Sequence, residues 1–354
     1  MQDPTFSICI PNYNYARYIG ETIQSVLDQT YPHFEIIIAD NASTDDSVAV
    51  IESFKDERIR LVRNRYNIGF APNLQRATMH ARNDFVNLLS SDDKMRPETL
   101  AAYAEVIRQQ GARAGQTVLM SDIELIDSES RPISVVERNE DTFRSRKTGH
   151  PAADDLDLSA PPFTLHRGHA VLANTMAELR TFATFLTIVY PRVLWQAIEG
   201  YNSVRTIGPD KHFNYKLLAL DPDVAYVHAP LFQYRMHGSP NQKAQVRTLK
   251  QQIDDYLYTI EYADDFLEQV GLVRKDLVQA FVDRVCLKNG LIQLVDGSYS
   301  QAFKMLAFSL AAYPGETFKR PRAYALAGLL MLGPIGPWLA RPLYHLYRKV
   351  SAAE

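Results

Sequence analysis

The chain has 354 residues, 46% hydrophobic and 22% charged, enough to bury one large core or two smaller ones. A formal net charge of -3 argues against nucleic acid as the main partner, because phosphate-backbone binding needs a basic surface. Cys9 and Cys286 lie too far apart for a metal motif, and the N-terminus enters an apolar pattern without the basic and apolar regions of a secretion signal, so the expectation is a reducing cytoplasm.

Phe6 to Ile10 is a short apolar, β-branched run ended by Pro11-Asn12-Tyr13-Asn14-Tyr15, which reads as a strand followed by a loop. Ile19, Ile23, Val26 and Leu27 recur at helical spacing, with Glu21 in the first turn and Pro32 past the end. Glu35 to Ala39 is a second buried strand that breaks into Asp40-Asn41-Ala42-Ser43-Thr44, followed by a helix through Val48, Ile51 and Phe54. Ile59 to Val62 is a third strand, Asn64 to Phe70 a loop, and Asn73 to Ala81 a helix. The run Phe85, Val86, Leu88 and Leu89 then turns abruptly into Ser90-Ser91-Asp92-Asp93 and leaves through Pro97 into a helical pattern. Strands alternating with helices predict a largely parallel sheet with right-handed crossovers.

In such a sheet the loops that follow the strands open on one edge, so Tyr13, Asp40, Asn67 and Asp92 are expected to converge on one crevice. An aromatic ring there can stack on a base, a carboxylate can accept a uracil or thymine imide N–H, and Asp92 can hold a divalent cation on a diphosphate. Structural roles compete at each position: Tyr13 as a packed loop aromatic, Asp40 with Ser43 and Thr44 as caps, and Asp92 and Asp93 as caps of the next helix.

Four segments, Ser7-Ile-Cys-Ile-Pro-Asn-Tyr-Asn14, Ile37-Ile-Ala-Asp-Asn-Ala-Ser-Thr-Asp45, Asn67-Ile-Gly-Phe-Ala-Pro-Asn73 and Leu89-Ser-Ser-Asp-Asp93, resemble in order and spacing the nucleotide-sugar motifs of family 2 glycosyltransferases. The resemblance covers the first hundred residues and continues more weakly to Asn241. It implies an α/β fold of the GT-A type, a mostly parallel central sheet followed by a C-terminal helical region, and an inverting transferase. It further implies nucleotide binding by Pro11, Asn12, Tyr13, Asn14, Asp40, Asn67, Ser91 and Asp92, with Pro11 and Tyr13 around the base and Asp40 on the imide, and Mn²⁺ or Mg²⁺ on Asp92. The family usually carries Asp-X-Asp where this chain has Ser90-Ser91-Asp92; one anionic ligand fewer weakens metal affinity, although substrate phosphates can fill much of the shell.

Val118 to Ile126 is a further strand and opens the acceptor half. Residues 137–168, rich in charge and proline without a sustained apolar period, predict a long loop or mobile insert. Phe182 to Trp195 is apolar with helical or buried character, and Ile198-Glu-Gly-Tyr-Asn202 follows. In the resembling family such a turn precedes the catalytic acid. The matching residue is Asp210, in Pro209-Asp210 where the family often has Glu-Asp; Asp210 is both a candidate general base and a good helix start. Val224 to Val227 is a strand, and Tyr234-Arg-Met-His237 resembles the family's Tyr-Arg-x-His segment, implying Arg235 on phosphate oxygens and His237 on the metal or diphosphate.

From Gln245 onward the pattern is helical, and acidic pairs such as Asp254-Asp255 and Asp264-Asp265 read as solvated helix faces. The division expected is 1–241 for the transferase domain, with halves 1–100 and 101–241, and 242–354 for the helical region. Within the latter, segment 319–349 is apolar with basic flanks and interrupted by Gly333-Pro334-Ile335-Gly336-Pro337, which fits an interfacial membrane anchor, a buried hairpin or a short span. The expected reaction is transfer from a nucleotide-diphosphate sugar, UDP favoured, to a glycan or polyprenyl-linked glycan at the inner face of the plasma membrane. Its rivals are a nucleotidyltransferase, which would be expected to show a basic glycine-rich loop where residues 11–18 offer only Arg17, and a non-catalytic scaffold subunit.

Overall fold

The computed structural model describes residues 3–150, 152, 160–202, 208–236, 249–333, 335–339 and 341. The chain divides into two units, the first comprising Met1–Asn174, Thr181–Val204 and Pro209–His237, the second Thr175–Arg180, Arg205–Gly208 and Gly238–Glu354.

The first unit opens with β1 (Phe6–Asn12), α1 (Ala16–Leu27), β2 (Phe34–Asp40), α2 (Ser47–Ser53), β3 (Ile59–Arg63), α3 (Phe70–Thr78) and β4 (Phe85–Leu88). These strands lie parallel, with Ile8 opposite Ile36 on one side and Asn87 on the other. β1 and β2 are buried almost throughout, which is why they read as unbroken apolar runs rather than alternating ones. α1 closes one face by burying Tyr18, Ile19, Ile23 and Val26 at helical spacing. α3 starts at Phe70, three residues before its expected start, because Gly69 at φ +91° supplies the turn and Pro72 fits the first helical turn.

β5 (Lys94–Met95), α4 (Thr99–Gln110), β6 (Thr117–Ile126), β7 (Pro132–Arg138), β8 (Ser145–Lys147), β9 (Phe163–Arg167), α5 (Gly168–Met176), β10 (Val189–Pro191), α6 (Arg192–Ala197), α7 (Pro209–Ala219) and β11 (Asp223–Arg235) follow. The sheet runs β3-β2-β1-β4-β10-β6-β11-β5, with β7 on β6, β8 on β7 and β9 on β11. β10 is antiparallel to both its neighbours, whereas β11 is parallel to β6, so the sheet is parallel in its first half and mixed in its second.

One expectation needs correcting and two are filled out. The interval 137–168 contains β8, β9 and the end of β7 rather than one long loop; β8 is an exposed edge strand of Ser-Arg-Lys held by backbone pairing, which leaves no apolar period to read. Residues 151 and 153–159 of that interval lie outside the described residues. β11 runs to Arg235, passing Pro230 through two register shifts, because bulges let a proline sit inside a paired strand. The apolar stretch 182–195 resolves into a short 3-10 turn, β10 and most of α6.

The second unit is helical: α8 (Leu249–Tyr258), α9 (Asp264–Gln269), α10 (Arg274–Ala280) passing through a π-helical stretch Phe281–Lys288 into α11 (Asn289–Val295), α12 (Tyr299–Ala312), α13 (Pro314–Phe318) and α14 (Pro321–Met331). Tyr256, Phe281, Phe308 and Tyr313 form an aromatic cluster with centroids 5.6–6.0 Å apart. Gly290 lets α11 approach α14, since a Cβ there would lie 2.7 Å from Leu326 Cδ2. Asp264 is exposed and paired with Arg274, but Asp254 and Asp255 are buried, so the solvated-face reading fails for that pair. Among the described residues no helix is long and apolar enough to cross a membrane.

Candidate active site

The loops after β1, β2 and β3 are stitched together at the carboxyl edge of the sheet. Asn12 Nδ2 donates to Asp40 Oδ1 at 2.9 Å and to Ser43 Oγ at 3.2 Å, while Ser43 donates through its hydroxyl to Asp40 Oδ1 at 2.5 Å and through its backbone to Oδ2 at 3.1 Å. Asn14 Oδ1 accepts the Thr44 N–H at 2.7 Å. Asn41 Nδ2 donates to Asn67 Oδ1 at 2.9 Å, and Asn41 Oδ1 accepts from Ile68 N and Asn64 Nδ2. Asp40 is therefore a turn organiser rather than a helix cap: the residue before α2 is Asp46, which makes no side-chain capping bond. Its oxygens keep lone pairs for a further donor. Asn14 at φ 60° and Ala42 at φ 59° are held in left-handed conformations, a cost the surrounding bonds sustain. Tyr13, 41% exposed, stands out from this lattice, and Pro11 pairs with Ala39 in the sheet.

Ser91, Asp92 and Asp93 are all buried in the loop after β4. Neither carboxylate caps a helix, because β5 intervenes and the residue before α4 is Glu98. Asp93 Oδ1 accepts the Arg235 N–H at 2.8 Å, and its Oδ2 is a buried acceptor without a hydrogen-bond partner. Burial, with the neighbouring Asp92 charge, raises the Asp93 carboxyl well above the usual range. The phenols of Tyr15 and Tyr234 face the same pair: burial and then the two carboxylates push each up to about 12.

The phosphate role expected of Arg235 is not open to it. The side chain is 0% exposed and its guanidinium is taken up inside the protein. Nε donates to Asp92 O at 2.7 Å, Nη1 to Asp127 O, Ser128 O and Ser130 Oγ, and Nη2 to Glu21 Oε2 at 3.0 Å, with the group 4.7 Å over the Tyr18 ring. A planar fork with five N–H donors suits a junction of three chain segments as well as it suits a phosphate, and here it ties α1, the Asp92 loop and the turn after β6 together.

Asp210 lies in the first turn of α7. Burial raises its carboxyl, against the backbone N–H and the charge of Lys211, which moves it toward the range useful to a general base. Beside it, Tyr201 stacks on Phe213 with centroids 4.1 Å apart, and the Asp210 charge adds to the burial that raises Tyr201. Gly200, at φ 62°, makes the preceding turn, and a Cβ on it would overlap the Trp195 ring. His237 lies outside the described residues.

The Asp92–Asp93 corner fits a divalent cation. It offers adjacent hard oxygen donors at the end of a parallel strand, one of them an orphaned buried acceptor, although among the described residues no cluster of three or more His, Cys, Asp or Glu surrounds a metal position. Asn12 Oδ1, at the end of neighbouring β1, is also buried without a partner. Sequence reasoning missed Ser43, Asn41 and Asn73 as lattice members, the last accepting from Asn64 Nδ2 and donating to Ala39 O, and Glu21 as a partner of Arg235; an arginine inside an apolar strand pattern was the available signal, since a buried guanidinium requires an acid or carbonyls.

Residues 7–154 match the family model Glycosyl transferase family 2. Over 109 residues the chain is 37% identical to TuaG of Bacillus subtilis, a glycosyltransferase named for teichuronic acid biosynthesis, a match covering 30% of this chain and 43% of that protein. It is 38% identical over 93 residues to WfgD of Escherichia coli, named a UDP-Glc:alpha-D-GlcNAc-diphosphoundecaprenol beta-1,3-glucosyltransferase, covering 26% of this chain and 37% of that one. These matches span less than half the length of either relative. An uncharacterized glycosyltransferase of Nostoc is 27% identical over 75% of this chain and 76% of its own. In fold, the chain is similar to S. aureus TarS 1-349 in complex with UDP-GlcNAc, with a TM-score of 0.61 at 17% identity, covering 98% of this chain and 92% of that one. It is also similar to the mannosyltransferase PcManGT of Pyrobaculum calidifontis in complex with GDP-Man and Mn²⁺, with a TM-score of 0.53 at 16% identity over 99% and 87%. The fold is thus of the glycosyltransferase GT-A type with C-terminal helices.

Proposed function

We propose, for a chain whose residues 7–154 match glycosyl transferase family 2, transfer of a sugar from a nucleotide-diphosphate donor, UDP-linked by preference, to a glycan or lipid-linked glycan. The observation that carries the reading is the convergence of the loops after β1 to β4 on one sheet edge, which offers orphaned buried acceptors at Asn12 and Asp93 beside Asp40 and Asp92. Transfer inverts the anomeric configuration. Asp210 takes the proton from the acceptor hydroxyl as that oxygen attacks the anomeric carbon, and the bond to the diphosphate breaks with its electrons on the departing oxygen. Asp92, with Asp93 beside it and His237 as a further candidate, would hold Mn²⁺ or Mg²⁺, whose chemistry is charge neutralisation on the diphosphate. Tyr13 stacks on the base, Asp40 accepts the imide N–H, and Asn67 with Asn14 keeps the two loops in place. The site of action is the inner face of the plasma membrane, where a lipid-linked acceptor is presented.

Thermal melting of the purified chain against UDP, TDP, GDP and CMP, each with and without Mn²⁺, tests this. A metal-dependent rise specific to a uracil or thymine diphosphate is the expected result; at a concentration one hundred times Kd it corresponds to about 2.7 kcal/mol. The absence of a shift with any nucleotide overturns the donor assignment.

A further inference from the structure

α14 buries Ala323, Leu326 and Leu330 at helical spacing, so one face is already packed within the second unit. Its other face is apolar as well. Tyr324 and Met331 point outward two turns apart, Met331 at 87% exposure, and Phe318, Leu332, Ile335 and Trp338 extend the same kind of surface on either side, Trp338 at 71%. A helix that is apolar on both faces has a second neighbour other than water.

The charge around it identifies the neighbour. Between Glu316 and Arg341 the chain carries Lys319, Arg320, Arg322 and Arg341 against the single acid Glu316. Glu316 serves both Lys319 and Arg320, and Arg322 pairs with Asp283 at 2.6 Å, so a positive excess remains beside exposed aromatic and aliphatic side chains. A basic rim with Trp and Tyr at an apolar face is the composition of the lipid headgroup boundary. Gly333, at φ 55°, turns the chain after α14, which leaves two short apolar pieces instead of one that could span.

We propose that this surface of the second unit docks in the plane of an anionic lipid bilayer. The inference rests on the membrane-side location proposed above and is read separately from it, because vesicle binding needs no sugar donor and the nucleotide melting shift needs no vesicle. The full chain is floated with vesicles of phosphatidylcholine, alone and mixed with phosphatidylglycerol, alongside Met331→Glu and Trp338→Glu. The expected result is flotation with the phosphatidylglycerol vesicles, weakened by salt, and a loss of about tenfold or more in each variant with melting temperature and nucleotide response retained. Failure to float with either vesicle, or flotation unchanged in both variants, overturns the proposal. So does a concentration-dependent dimer abolished by Trp338→Glu without flotation, which would give the surface to a second copy of the chain.

Discussion

Replacing Arg235 with methionine keeps the length and much of the apolar volume of the side chain but removes the guanidinium donors that join α1, the Asp92 loop and the turn after β6, leaving the backbone N–H on Asp93 in place. Glu21 loses one partner at little cost, because Ser130 Oγ still donates to it and its side chain is 46% exposed and can be rehydrated. The buried carbonyl of Asp92 is the expensive loss, with the half-buried Ser128 carbonyl second, whereas Asp127 O keeps the Ser130 N–H. A buried acceptor left unpaired costs about 1–3 kcal/mol and a half-buried one less, so we expect destabilisation of about 2–4 kcal/mol. For a domain of this size that is a fall of roughly 10 °C in Tm. Trp195 in the first unit and Trp338 in the second are the chain's two tryptophans, so Trp195 fluorescence in a Trp338→Phe background reports the relevant unit. Arg235→Lys restores charge without the fork and falls between the two. Metal-dependent nucleotide binding weakens in both variants. An Arg235→Met chain that unfolds within about 1 kcal/mol of the parent would refute the idea that the guanidinium braces this corner.

Asp210→Asn abolishes transfer while leaving the nucleotide-induced melting shift intact; loss of the shift instead would mean that Asp210 serves the donor. Asp122, buried on β6 and accepting a hydrogen bond from the Tyr226 hydroxyl, has its carboxyl pushed up to about 7, chiefly by burial and further by the Glu137 charge. The folded chain therefore holds a proton that the unfolded chain has released, and stability falls as pH rises from about 4 through 7, by an amount on the order of 2–4 kcal/mol. Denaturant unfolding at pH 5 and pH 8 should show that decline in the parent and a flatter profile in Asp122→Asn; an equal slope in both assigns the dependence elsewhere.

The first half of the sheet was legible because parallel strands covered on both faces must be continuously apolar: Phe6 to Ile10 and Glu35 to Ala39 admit few other readings. The edge-strand β8 was not, since Ser145–Lys147 is held by backbone pairing that no side-chain pattern records. The site shows the same division. Motif order singles out Asp40, Asp92 and Asp210 as candidates, at the end of β2, in the loop after β4 and in the first turn of α7. It says nothing of whether a neighbouring arginine faces ligand or interior, which is decided by where Glu21 and the 127–130 turn arrive in space. Asp254 and Asp255 went the same way: charge predicts solvent only until tertiary packing closes over it.

β10 lies between β4 and β6, and the Asn87 side chain donates to Leu186 O and Ile188 O across about a hundred residues of chain. During synthesis, β4 therefore emerges with an open, apolar edge and stays open until residues near 190 have left the ribosome. Joining sequence-distant strands is slow, and a bare Phe85–Leu88 edge is a template for pairing with other chains. A fragment ending after the Asp92 loop should thus aggregate even though its motifs are complete, and whatever holds the nascent chain apart from its neighbours must act over that interval.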